Sequence, residues 1–85
     1  MAMQNLARNP KQIGNLIRNA RRKRGWSQAQ LGDTTGLRQA TISQIESGSS
    51  ATRLATILSL LAALDLELQV APRSKSAASA IEDIF

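Results

Sequence analysis

Residues 38–44, RQATISQ, bring guanidinium, amide, hydroxyl and methyl groups into one short run. Arg38 offers paired N–H donors, which match the O6 and N7 edge of guanine, and Gln39 offers a donor and an acceptor, which match N6 and N7 of adenine. The methyl groups of Ala40 and Thr41 can contact the methyl of thymine. The chemistry indicated is hydrogen-bonded recognition of base edges, although such residues are also common on an ordinary solvated helix.

Two short helices and a tight turn are predicted to position this run. Ser27 and Gln30 have the S-x-x-Q spacing of a capping box, which satisfies free N–H groups where a helix begins. Leu31 is the main apolar residue of this helix, and Gly32 beside it allows another backbone to approach closely. Gly36 stands where the chain must turn sharply, because a Cβ is penalised at positive φ.

The second helix is expected to bury one side and expose the other. Ile42 and Ile45 share one helical face, and Leu37 anchors its entrance. The polar run therefore faces away from the core. Residues 27–48 have the layout of a helix-turn-helix, in which the second helix enters the major groove of DNA.

On these features, residues 13–64 resemble the Cro/C1-type helix-turn-helix domain, also called the XRE family. The matching positions are Gln28, Leu31, Gly36, Leu37, Gln39, Ile42, Ile45 and the sequence Glu46-Ser47-Gly48. Gly32 and Thr35 depart from the family, which usually has Ala and an aliphatic residue there. The block GWSQAQLG, the stretch QATIS and the extended tail make the whole chain most similar to HipB-type antitoxins.

The resemblance implies a repressor that binds a palindromic operator as a homodimer, with two recognition helices in successive major grooves about 34 Å apart. Gln39 is expected to be the principal reader, because the family usually reads bases from this place. The predicted base contacts are Arg38, Gln39, Ala40, Ser43 and Gln44. Helix N-termini and cations both favour anions. The predicted phosphate contacts are Arg24, Ser27, Gln28 and Thr41.

Composition limits the other functions that the chain can have. With 85 residues and neither cysteine nor histidine, it has room for one small domain without disulfides, thiolate ligands or imidazole ligands. The six carboxylates are scattered, so we expect no catalysis, metal or cofactor. Residues 1–6 have no apolar core and no stretch is long enough to cross a bilayer, so we expect a cytoplasmic protein without a membrane partner.

The net charge of +5 is concentrated before the motif. The basic block consists of Arg8, Lys11, Arg18, Arg21, Arg22, Lys23 and Arg24. No acidic residue precedes Asp33, so the block is an electrostatic footprint for phosphates. It could also be a solvated helix face, or a basic amphipathic helix on a membrane. The apolar side of that helix is Ile13, Leu16, Ile17 and Ala20, which is suited to core packing and poor for insertion.

Four helices are predicted in a domain at 9–64, which makes the fold class all-α and lambda-repressor-like. Asn9 caps the first helix and Gly25 ends it. Trp26 follows, and an aromatic residue between two helices is more often part of the core than a ligand-stacking residue. The leucine-rich fourth helix is expected to close the core, and its remaining leucines to face a second subunit. The core residues predicted in it are Leu54, Ile57, Leu58 and Leu61.

After the fourth helix, the spacing of apolar residues changes from the helical period to a period of two. Residues 64–70 alternate apolar and polar, which is the pattern of a strand, and Pro72 ends it. One strand has no ladder partner in this chain, so we predict that a strand at 65–71 pairs antiparallel with its copy in a two-fold homodimer. Its dimerisation residues are Leu66, Leu68 and Val70. A fifth helix with the same leucines is the alternative.

Flexible segments are predicted at both ends, as an arm at 1–8 and a tail at 72–85. The tail ends in Ile81, Ile84 and Phe85, which resemble a peptide that docks into a groove, although terminal residues are usually frayed. In the HipB-type family, the tail after the strand engages the kinase-like toxin. The resemblance therefore implies a HipA-like serine/threonine kinase as partner, in one chain or split into two.

Other functions stay open from the residues alone. The chain could be a stand-alone phage-type repressor or a restriction-modification controller protein. It could also be a protein-binding adaptor that uses the fourth helix and the tail without reading DNA. The basic block before the motif argues against the adaptor.

Overall fold

The computed structural model describes residues 6–49 and 51–73, and this part of the chain contains four α-helices. They are α1 (Pro10–Lys23), α2 (Gln28–Thr35), α3 (Gln39–Glu46) and α4 (Leu54–Ala63). The four-helix, all-α prediction is confirmed. Within the described residues, no helix is long and apolar enough to cross a membrane. The predicted arm and tail lie mostly outside them, and Ile81, Ile84 and Phe85 lie wholly outside.

The first two helices begin where their capping residues predict. The Asn9 side chain accepts a hydrogen bond from the Gln12 N–H at 2.8 Å, and Pro10 follows at the first helical position. Ser27 Oγ accepts from the Gln30 N–H at 3.0 Å, and Gln30 Oε1 accepts from the Ser27 N–H at 2.7 Å. The predicted capping box is therefore formed, and it satisfies N–H groups that a helix start leaves free.

Gly36 and Thr35 fix the turn between α2 and α3. Gly36 has φ 78° and ψ 10°, the left-handed conformation that penalises a side chain, and its N–H donates to Gly32 O at 2.7 Å. The Thr35 hydroxyl donates to Leu31 O at 2.8 Å and accepts from the Leu37 N–H at 3.3 Å. An aliphatic residue could not make these bonds. A Cβ on Gly32 would lie 2.7 Å from Leu37 O, so the predicted close approach is confirmed.

The core lies between the four helices, with α3 packed on α1 and α2, and α4 packed on α2. Its buried apolar residues are Ile17, Leu31, Ile42, Ile45, Leu60 and Leu64. Trp26 is half-buried and packs against this cluster, which confirms its predicted place in the core. Because so few large side chains are buried, the polar contacts between helices matter more to this fold than in a larger domain.

Two leucines predicted to close the core are exposed instead. Leu54 is 63% exposed and Leu58 is 42% exposed, whereas Leu60 and Leu64 are buried. The inner stripe of α4 has the spacing i, i+3, i+4, i+7 and consists of Ile57, Leu60, Leu61 and Leu64. Leu54 and Leu58 lie to one side of this stripe. The helix is apolar on two sides, so its sequence alone does not decide which side meets α2.

The structure does not support the predicted strand. Residues 66–73 have neither strand nor helix, so the alternative fifth helix is absent from them as well. After α4, Asp65 takes a left-handed conformation with φ 60°, and the Leu66 N–H donates to Leu61 O at 2.7 Å. A strand forms only against a partner, and the structure holds one copy of the chain. Pairing across a homodimer therefore stays a prediction.

Candidate nucleic-acid interface

Helix α3 presents the polar run to solvent. Ile42 and Ile45 are buried on its inner side. Arg38, at the N-cap position with extended backbone, is exposed. The other predicted base-contacting residues are also exposed, namely Gln39, Ala40, Ser43 and Gln44. Since positions i, i+1, i+4 and i+5 share one side of a helix, these residues form a single open face. Thr41, predicted to contact phosphate, is half-buried.

The start of α2 lies beside the end of α3. The amide nitrogen of Gln28 donates to Glu46 Oε1 at 3.2 Å, so this side chain, predicted to contact phosphate, reaches inward instead. Ser27 and Arg24, the other two residues predicted to contact phosphate near this helix start, are exposed. A helix start also leaves backbone N–H groups without partners inside the helix, and these groups favour anions.

A buried ion pair, missed by the sequence analysis, joins α1 to α3. Arg21 Nε lies 2.7 Å from Glu46 Oε2, and Arg21 Nη2 lies 3.0 Å from Glu46 Oε1. Arg21 is only 8% exposed and Glu46 only 1% exposed. The assignment of Arg21 to a phosphate-binding block is therefore wrong, because its guanidinium is occupied inside the protein.

The helical period could have revealed this pair. Glu46 follows Ile42 by four residues, and Arg21 follows Ile17 by four residues. The spacing that buries each isoleucine also turns the charged residue inward. Two opposite charges on the inner faces of two helices can pair when the helices pack together.

Glu46 receives further donors, at its carboxylate and at its backbone carbonyl. Besides Arg21 and Gln28, Arg18 Nε lies 3.5 Å from Glu46 Oε1, and Arg18 Nη2 donates to the Glu46 carbonyl at 3.3 Å. Burial by itself raises the pKa of Glu46, but hydrogen bonds from Arg21, Gln28 and Arg18 and the charge of Arg21 outweigh it and hold this pKa below its usual value. The hydrogen bond to Glu46 also raises the pKa of Arg21.

The Arg21 guanidinium also fixes the segment before α2. Its Nη1 donates to the Trp26 carbonyl at 2.7 Å, and the Trp26 N–H donates to Arg21 O at 3.2 Å. Arg18 is half-buried at the ion pair. The exposed residues of the basic block are Arg8, Lys11, Arg22, Lys23 and Arg24. These exposed cations precede the helix-turn-helix in the sequence and are available to a polyanion such as DNA.

Fold and site together define a class of DNA-binding protein: the chain belongs to the Helix-turn-helix family, which matches residues 17–70. Within this class it belongs to the family of HipB antitoxins. It is 32% identical over 73 residues to Antitoxin HipB of Escherichia coli O6:H1 strain CFT073, a match that covers 86% of this chain and 78% of the relative.

Solved structures agree with this placement. The chain is similar to a HipA-HipB-O2-O3 complex, with a TM-score of 0.73 and 31% identity over 82% of this chain and 97% of that chain. It is also similar to the restriction-modification controller protein C.AhdI from Aeromonas hydrophila, with a TM-score of 0.60 and 34% identity over 65% of this chain and 83% of that chain. The likeness to the HipB complex extends over more of both chains.

The lowered pKa of Glu46 predicts a loss of stability in acid. The stabilisation is fully present above the pKa of an unfolded glutamate, about 4.3, and is lost as pH falls through the lower folded value. Urea unfolding at several pH values measures this. Glu46→Gln should remove this part of the pH dependence and, because it leaves Arg21 charged and unpaired, cost about 3–5 kcal/mol at pH 7.

Asp33→Asn is the matched control, because Asp33 is an exposed carboxylate outside both the ion pair and the segment at 65–71. Its unfolding free energy should follow the wild-type curve at every pH. Parallel loss of stability in the wild-type and Glu46→Gln proteins on acidification would show that another group carries the effect.

Proposed function

We propose that this chain represses transcription by binding a palindromic operator as a homodimer, and that it is the antitoxin of a HipA-like kinase. The observation that carries the proposal is the open polar face of α3, held by the buried Arg21–Glu46 pair in a chain of the HipB family. Its place of action is the cytoplasm, where the operator is. The domain at 9–64 binds DNA, the segment at 65–71 dimerises, and the tail at 72–85 reaches the kinase.

Base recognition is assigned to the open face of α3. Gln39, at the start of the helix, is the principal reader, since the N-terminal residues of a recognition helix approach base edges. The neighbouring readers are Arg38, Ala40, Ser43 and Gln44. Their exposure supports this assignment, because a side chain that reads a base must be accessible from solvent to the edge of that base.

Phosphate contacts are assigned to the residues around the start of α2. Arg24 supplies a cation, and Ser27 supplies the cap beside the free N–H groups of the helix. Gln28 acts through its backbone N–H, because its side chain is held by Glu46. Thr41 contributes its hydroxyl from α3. These contacts set the register of the protein on the duplex without reading its sequence.

Dimerisation is assigned to the segment after α4. Leu66, Leu68 and Val70 are 38%, 55% and 96% exposed in the single chain. A second copy could cover these apolar side chains and supply the missing ladder of backbone hydrogen bonds. A two-fold dimer also presents two α3 helices to a palindromic operator.

The kinase partner is inferred from the family. The HipA-HipB-O2-O3 complex holds HipA together with HipB. In this chain, the tail residues Ile81, Ile84 and Phe85 supply an apolar and aromatic end that a groove could accept. The kinase can be one chain or two. The second candidate is a restriction-modification controller, which the likeness to C.AhdI favours.

The base-reading assignment predicts two different binding defects. Gln39→Ala should weaken binding to an operator, selected with the wild-type protein from random duplexes, by about 1–3 kcal/mol and leave random DNA nearly unaffected. Arg24→Ala should weaken both and reduce the salt slope by about one. Fluorescence anisotropy over a salt series measures both effects. Equal losses on operator and random DNA for Gln39→Ala would remove it from the readers.

The dimer predicts that one face of the segment is sensitive to charge. Leu68→Lys should shift the chain from dimer to monomer in sedimentation equilibrium, because it buries a cation in the shared apolar face. Gln69→Lys is the matched control, since alternate residues of a strand point to opposite faces. Equal association of the two variants would show that the segment does not pair as a strand.

If the tail docks through its apolar end, kinase binding should depend on Ile81, Ile84 and Phe85 and not on the length of the tail. The intact chain should retain a kinase-like protein from native cell extract, whereas a version ending at Ala71 should retain less. A full-length variant with Ile81→Ala, Ile84→Ala and Phe85→Ala keeps the tail length and should behave like the truncated chain. Mass spectrometry identifies the bound proteins.

Three other outcomes would change the proposal. If all three chains hold the kinase equally, the tail does not dock. If the triple variant binds like the intact chain and the truncated chain does not, the length of the tail matters rather than its apolar end. If no chain retains a kinase, a free-standing repressor or controller is favoured.

A further inference from the structure

Trp26 makes a contact that its place in the core does not explain. The guanidinium carbon of Arg24 lies over the indole ring, 5.1 Å from the ring centroid. At this distance the electron-rich face of an indole attracts a cation. The same residue packs against the core. The ring is therefore a platform, and the guanidinium of a solvent-exposed arginine lies over it.

The platform is tied to the recognition helix through Arg21. The Arg21 guanidinium donates to the Trp26 carbonyl at 2.7 Å and to Glu46 at the end of α3. The Trp26 N–H donates back to Arg21 O at 3.2 Å. Between Arg24 and Trp26, Gly25 has φ 72° and reverses the chain, so that residues two apart can stack. The position of Arg24 is thus set relative to α3.

The contact with the ring leaves N–H donors of Arg24 available to solvent. A guanidinium stacks through its flat face, whereas its N–H groups lie in the plane and point outward from the edge. That edge can bind two oxygens of one phosphate at once. An arginine already held on a ring also loses less conformational freedom when it binds than a free side chain does.

From this geometry we infer that Trp26 is a positioning residue for DNA binding, which holds Arg24 with its edge toward a phosphate of the DNA backbone. The inference rests on the proposed function, in which Arg24 contacts phosphate. It adds that the contact depends on a planar cation fixed by an aromatic ring, rather than on positive charge alone.

The first test changes Arg24 and leaves Trp26 intact. Arg24→Lys keeps the charge but loses the planar stack, so it should weaken binding to a random 20-base-pair duplex by about two- to fivefold, with an unchanged salt slope. Arg53→Lys is the matched control, because Arg53 is an exposed arginine outside the basic block, at the start of α4. It should bind like the wild-type protein. Fluorescence anisotropy over a salt series gives both quantities.

The second test is a double-mutant cycle. Arg24→Ala should weaken duplex binding in both backgrounds. The factor by which it does so should be about two- to fivefold larger in the wild-type background than in the Trp26→Leu background. If Trp26 had only a structural role, its replacement would scale both affinities equally and leave this ratio at one. Urea unfolding identifies any loss of folded protein, and the Arg24→Lys test does not depend on the Trp26 variant folding.

The outcomes distinguish the positioning role of Trp26 from the proposed DNA binding itself. Wild-type affinity for Arg24→Lys, or equal factors for Arg24→Ala in the two backgrounds, would overturn the positioning role while the proposed DNA binding stands. If the wild-type protein binds no duplex even at low salt, the positioning role and the proposed function both fail.

Discussion

The carboxylate of Glu46 joins three of the four helices. It lies at the end of α3, binds the Arg21 guanidinium from α1 and the Gln28 amide from α2, and is almost fully buried. Removing both charges of an ion pair from water is costly. This cost is offset only when hydrogen bonds also satisfy the remaining lone pairs of the carboxylate. We interpret the pair as a geometric device. It sets the start of α2 against α3, and these are the two elements that a DNA duplex would meet.

This constraint matters because the motif helices are short. Each of α2 and α3 has eight residues, and isolated helices of this length are marginal in water. Their outer surfaces are polar, so only a narrow inner side contributes to the core. The capping box of Ser27, the hydroxyl of Thr35 and the Glu46 network supply directional contacts where apolar area is scarce. The open face of α3 stays in solvent because the opposite side of the helix, with Ile42 and Ile45, is the side that packs in the core.

Features that depend on nearby residues were predictable from the sequence, and features that depend on distant contacts were not. The caps at Asn9 and Ser27 and the turn at Gly36 follow from residue types a few positions apart. Arg21 and Glu46 were missed because a charged residue is usually solvated, and their pairing requires α1 to pack on α3. In α4, packing against α2 decides which leucines are buried. The open face of α3 follows from the helical period, but the bases that such a face would contact depend on the DNA sequence as well.

The exposed segment after α4 has a consequence for how such a protein would respond to its own abundance. If two copies must pair through Leu66–Val70 before they bind an operator, occupancy at low concentration rises with the square of the number of chains. A modest fall in synthesis or a modest rise in proteolysis then releases the promoter sharply rather than in proportion. The affinity of two copies for each other through this segment would thereby set the chain concentration at which gene expression changes.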